Sequence, residues 1–165
     1  MSTNMQRTNF VDGALVSLPL IYNAGGTEVS TGFVLPLNSI IYADEMWVLV
    51  DAVDATETVD VGILSSETGG DANGFISLLS VATLGLISPT VTVTAGTAQK
   101  YISATTWGVL FLAAARLGSN AASGASSPVF TPYISNGVAK TISYTPSSSD
   151  TFKGRLIFRL RQLPV

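Results

Sequence analysis

Along "GRLIFRLRQL", Gly154 to Leu163, apolar and basic side chains change places residue by residue. Leu156, Phe158 and Leu160 fall on one side, with Arg155, Ile157, Arg159 and Arg161 on the other. A period of two is the mark of a half-buried β-strand, because successive side chains point to opposite faces. This strand needs a core under its Leu/Phe face and water, carboxylates or a partner over its arginines.

The same period recurs. "TVDVGIL" sets Val59, Val61 and Ile63 against Thr58, Asp60 and Gly62. "KTISYTP" sets Ile142 and Tyr144 against Thr141, Ser143 and Thr145. Further short runs rich in β-branched and aromatic residues read as strands: "ALVSLPLIY", "TGFVLPL", "SIIYA", "MWVLVDAV", "QKYISA", "WGVLFLA" and "VFTPYIS". Pro19 and Pro36 lie inside strand-like runs, which suits edges or bulges. "WGVLFLAAARLG" is apolar all round and also fits a helix; the expectation taken here is a strand. Many short strands separated by turn residues predict an all-β chain, a β-sandwich or jelly-roll-like single domain over 13–165 with a short N-terminal arm over 1–12. "GSNAASGASSP" reads as a small-residue loop and "TPSSSDTFKG" as the turn between the last two strands.

Composition narrows the chemistry. The chain of 165 residues has no Cys and no His. Disulfides, thiol nucleophiles, imidazole bases and the usual zinc ligand sets are therefore out of reach. The longest apolar run, Trp107 to Ala115, is about half of what a membrane helix needs, and "MSTNMQRTNFVDG" lacks the pattern of a secretory leader. Only 12% of residues are charged, about half the usual share. So few charges leave apolar surface uncovered and point to an assembly.

Nine acids lie between Glu28 and Asp71 with no Lys or Arg among them. Lys140 to Arg161 holds five bases and one acid. These blocks either lie near one another within one fold or meet across a subunit interface, where they would set register. With few bases and net charge −3, nucleic acid is not an expected partner.

"SSETGGDANGF", Ser65 to Phe75, holds the densest set of turn-forming and acidic residues. A Ca²⁺ loop would need an oxygen ligand where Gly69 stands and an acid where Ser80 stands, so no metal is expected. Glu67 and Asp71 would act as an acid pair only if burial drove their pKa values apart, and a Gly-rich polar loop does not bury them. An acid-pair enzyme would require two of Glu57, Asp60, Glu67 and Asp71 about 5–9.5 Å apart in one pocket. No catalytic residue and no cofactor is assigned. The stretch is expected to be a polar connection after "TVDVGIL", with Phe75 returning to the core.

"VDVGILSSETGGDANGF" with "SVAT", and "GVAKTISYTPSSSDTFKGRLIFRL", resemble stretches of small β-rich structural proteins of tailed bacteriophages, the capsid cement or decoration proteins. The similarity spans roughly 59–83 and 136–160. The resemblance implies a virion protein on the outer surface of the capsid, made in the host cytoplasm. It implies a homotrimer whose partner is the major capsid protein, with no enzymatic role. Arg155, Arg159, Arg161, Glu67 and Asp71 are the expected interface residues. The alternative is a tail or fibre component, including a receptor- or carbohydrate-binding module, with Trp47, Tyr101 or Trp107 exposed along a groove.

Overall fold

The structure, a computed structural model, describes residues 13–21, 26–53, 57–88, 91–93, 100–102, 108–111, 132–135, 138, 140–147 and 152–162. The strands run β1 (Ala14–Ile21), β2 (Val29–Leu35), β3 (Ser39–Ala52), β4 (Thr58–Ile63), β5 (Asp71–Ser80), β6 (Gly85–Ile87), β7 (Val91–Val93), β8 (Lys100–Ile102), β9 (Tyr133–Ile134), β10 (Lys140–Pro146) and β11 (Lys153–Gln162). A 3₁₀ turn, Val109–Phe111, precedes β9. The expected arm over 1–12 and the loop "GSNAASGASSP" lie outside the described residues.

One sheet has the order β1-β11-β3-β6, with β9 also on β3; the other has the order β2-β10-β4-β5. All pairings are antiparallel. The pairs β4–β5, β3–β6, β2–β10 and β1–β11 nest inside one another, as if one long hairpin of eight strands had been rolled up. Pairing of β11 with β3 and of β10 with β4 closes the roll. This nesting is a jelly roll, a two-sheet form of β-sandwich. The expected all-β sandwich is therefore what the chain forms. A separate two-stranded ribbon, β7–β8, lies in the long β6-to-β10 connection.

The inner faces supply one core. Leu156, Phe158 and Leu160 of β11 are buried with Met46, Val48 and Val50 of β3. Across from them lie Val59, Val61 and Ile63 of β4 and Ile142 and Tyr144 of β10. The sheets touch directly where Phe33 of β2 meets Phe158 edge-on at 6.0 Å between centroids. They are also tied by the Tyr144 hydroxyl, which donates to the Ile21 carbonyl (2.7 Å) and accepts from its amide (3.1 Å). That bond completes the edge strand β1, and it leaves no polar group of Tyr144 stranded inside.

Several expectations are corrected. "SIIYA" and "MWVLVDAV" are one strand, β3. The register against β11 jumps between Phe158↔Met46 and Leu160↔Ile41, so a bulge at the intervening residues carries the strand through without ending it. "WGVLFLA" does not form a strand over its described part. Gly108 sits so close to Asn73 and Gly74 that a Cβ there would lie 2.2 Å from their backbone, and its amide donates to the Phe75 carbonyl. The tight turn that follows drives Phe111 into the core against Phe75, at 5.1 Å. The stretch Ser65 to Phe75 is a loop only as far as Gly70; strand β5 starts at Asp71. Phe75 is fully buried, as the sequence predicts. Pro19 lies in β1, which among the described residues has a strand partner on one side only, while Pro36 falls just after β2.

Deleting the buried ring in Phe158→Ala is expected to cost about 3–5 kcal/mol. Arg155→Ala, on the opposite face of the same strand, should change stability by less than about 0.5 kcal/mol. Urea unfolding of both variants checks the assignment of faces; equal losses would contradict it.

Candidate functional site

Strand alternation gives each sheet an outer face, and the two faces differ in chemistry. On the first sheet the outer row of β11 reads Arg155, Ile157, Arg159, Arg161. Its register places Arg155 between Pro19 and Leu49, and Ile157 between Ser17 and Trp47. Leu86 of β6 stands opposite Leu49. Leu15, Ile21 and Leu86 are each more than half exposed, while Trp47, Leu49 and Ile157 are half-buried. The face is thus apolar with basic side chains threaded through it.

The arginines are not equivalent. The β3 bulge turns Glu45 and Tyr42 outward beside the end of β11. Glu45 Oε1 lies 2.5 Å from Arg161 Nη2 and 3.8 Å from Arg159 Nε. The Arg161 guanidinium also lies 4.9 Å from the Tyr42 ring centre, a cation–π contact. Arg159 Nη1 donates to the Gly13 carbonyl at 3.4 Å. Arg155 and Lys153, by contrast, are exposed and have no ion pair among the described residues. They flank a shallow groove of about 350 Å³ together with Pro19, Ile21 and Asp51.

The second sheet has an outer face of small hydroxyl side chains and carboxylates, with Val34 and Leu78 exposed among them. Ser30, Ser143 and Gly62 form a row across β2, β10 and β4. Three carboxylates sit on or beside this face, and each accepts a backbone amide that the strand ladder leaves over. Glu28 accepts from Ser65 N (2.9 Å), Ser65 Oγ (2.5 Å) and Ser143 Oγ (2.6 Å). Glu67 takes Thr141 N (2.7 Å) on one oxygen and Thr141 Oγ1 (2.6 Å) on the other. Asp60 accepts from Leu78 N (2.6 Å), at a residue held at φ 52° beside a β5 register shift. Each such bond satisfies a backbone donor that has no partner in the ladder.

Electrostatics follow from those contacts. Burial pushes the Glu28 carboxyl upward, but the bonds from Ser143 and Ser65 outweigh it and hold the group below its usual 4.5. At Asp60 burial dominates over the Leu78 amide and raises the carboxyl above its usual 3.8. Tyr133 is raised by burial and by the nearby Glu67 charge.

The residues expected at an interface therefore fall into two groups. Arg155, Arg159 and Arg161 share the outer face of the first sheet. Glu67 and Asp71 belong to the second sheet and its Leu64–Gly70 turn. Glu67 braces Thr141, and Asp71 Oδ1 accepts from Asn73 N at 3.3 Å. Lys140, nearly buried, donates from Nζ to the Thr68 carbonyl and anchors the same turn. Among the described residues, no three of Asp and Glu gather as a metal cluster would require. Sequence reasoning did not single out Glu28, Tyr42 or Glu45 as site residues. The "ADE" interruption of the apolar alternation in β3 was the available signal for Glu45. Comparison with protein-family models, with curated proteins and with solved structures gives no match.

Removing the Glu28 charge in Glu28→Gln is expected to cost about 1 kcal/mol at pH 7, the scale of charge-assisted hydrogen bonds on a partly exposed group. A depressed folded-state pKa contributes stability above the unfolded value and loses it as pH falls. The gap between wild type and variant should therefore close as pH drops below about 4.5. Denaturant melts at several pH values test this; a gap independent of pH would show that charge is not what holds Ser65 and Ser143.

Proposed function

We propose that this chain is a virion structural protein of a tailed bacteriophage. In this reading it is a cement or decoration protein that binds the outside of an icosahedral head as a homotrimer and braces the major capsid protein. The observation that carries the reading is the jelly roll with one outer face left apolar and arginine-studded. Jelly rolls recur among viral capsid domains, although a fold alone does not fix a function. Arginine and aromatic residues on an apolar ground are the composition of protein interfaces. The resemblance of 59–83 and 136–160 to phage decoration proteins supports the same reading.

The physics of such a role is additive. A protein that binds only the assembled shell stabilises it by mass action, and repeated copies gain from multivalency. The proposed contribution of this chain is a stiff sandwich with its turns braced by carboxylates, so that little ordering is lost on binding. Lectins also use jelly rolls, which makes glycan binding the second reading. Of the aromatic residues that this second reading would expose, Trp47 is half-buried on the outer face of the first sheet, and the side chains of Tyr101 and Trp107 lie outside the described residues.

Purified protein mixed with empty tailed-phage heads should co-sediment saturably and raise the temperature at which the heads disrupt. A variant lacking residues 2–9 should bind heads more weakly while melting at the same temperature. A protein that ignores heads and binds glycans or cell surfaces would overturn the shell reading.

A further inference from the structure

The outer faces of the two sheets are opposite in net charge, and both carry exposed apolar side chains. The first bears Leu15, Ile21 and Leu86 with Lys153, Arg155, Arg159 and Arg161, offset by only two acids, Glu45 and Asp51; its exposed cations Lys153 and Arg155 lack an ion pair among the described residues. The second bears Val34 and Leu78 among small residues such as Ser30, Gly32, Thr141 and Thr145; Glu28, Asp60 and Glu67 lie on or beside it, and the Lys140 ammonium of the same sheet is taken up by the Thr68 carbonyl. Asp60 is partly exposed. Only its Oδ1 has a partner, the Leu78 amide, so Oδ2 is left over among the described residues. A carboxylate oxygen accepts two hydrogen bonds, so the site has spare capacity for a guanidinium.

We infer that copies of this chain associate head to tail, the outer face of the first sheet on one copy packing on the outer face of the second sheet on the next, with Arg155 meeting Asp60. The occupant of the apolar face is thus a second copy. Like faces would set two surfaces of the same net charge against each other, whereas unlike faces join opposite signs and cover the exposed apolar side chains of both. Such a contact is heterologous, so repetition closes a ring or continues as a fibre. The inference rests on the homo-oligomer part of the proposed function and not on shell binding.

The test is the mass of the full chain in solution, by light scattering across a concentration series, without phage heads. Wild type should associate, and raising salt from 0.05 to 0.5 M should weaken association because exposed pairs are screened. Arg155→Glu should weaken it by at least about tenfold, equivalent to one decade in Kd. Asp60→Arg should do the same. The double variant Arg155→Glu with Asp60→Arg should recover association, since every contact then pairs a Glu with an Arg. Circular dichroism melts establish that each variant folds. If Asp60→Arg does not fold, Asp60→Asn takes its place, because an amide oxygen still accepts from Leu78 N; the measure is then a weaker salt dependence and a looser oligomer.

Three results would overturn the inference. These are a wild type that stays monomeric, a mass unaffected by Arg155→Glu, and sensitivity to Arg155→Glu with none to either Asp60 variant. The last would place the first-sheet face against something other than the second sheet. Association that follows the charge swap in a protein that ignores phage heads would keep this inference and remove the shell reading.

Discussion

The fold depends on β11 having a neighbour on both sides and a second sheet beneath it. Its amides pair with β1 and β3, and its Leu156, Phe158 and Leu160 fill the middle of the core. Both partners come from the other end of the chain: Ala14 lies opposite Leu160, and Met46 opposite Phe158. Until β11 arrives, β1 has no partner in its sheet, and the inner faces of β3 and β2 lack the ring of Phe158. Contacts this distant in sequence delay folding, because chain entropy is lost before they repay it. The alternation that makes the last strand easy to read is thus also what closes the structure.

Bulges give the sandwich its individuality, and polar side chains make them affordable. In β2, the Thr31 hydroxyl donates to the Ile142 carbonyl and accepts from Phe33 N, bridging a register shift eased by Gly32 at φ 73°. In β5, Asp60 serves Leu78; in the turn before it, Glu67 and Lys140 hold either end. The acidic block of the sequence is mostly spent this way. Its members on the second sheet cap amides, while Glu45 pairs with Arg159 and Arg161 of the first. Opposite charges thus lie near one another within the chain.

Legibility in the sequence followed how local the cause was. Strands β4, β10 and β11 were plain because each carries an unbroken period of two over a one-sided core. The β3 bulge was not, because "ADE" interrupts the alternation and looks like a turn between two strands. Most of β5 was missed for a related reason: Gly74, Phe75 and Ile76 are consecutively buried, and Leu78 points outward at positive φ. The 3₁₀ turn depended on a close approach of Gly108 to β5, a long-range fact with no local pattern. Among the interface residues, the shared face of the three arginines was readable, but their division between paired and unpaired depended on Glu45, which only the bulge brings near.

An open sandwich invites strangers to add strands at its rims, and a chain with this few charges cannot repel them by charge alone. Among the described residues, four of the rims are spoiled, each in its own way. Strand β1 carries Pro19, which lacks an amide; β2 is broken by the Gly32 bulge; β6 is three residues long; β5 is kinked and has the Gly108 amide on its Phe75 carbonyl. Disordered edge-to-edge aggregation is thereby discouraged at the backbone level. Contacts with other molecules are thereby left to side chains, where recognition is selective.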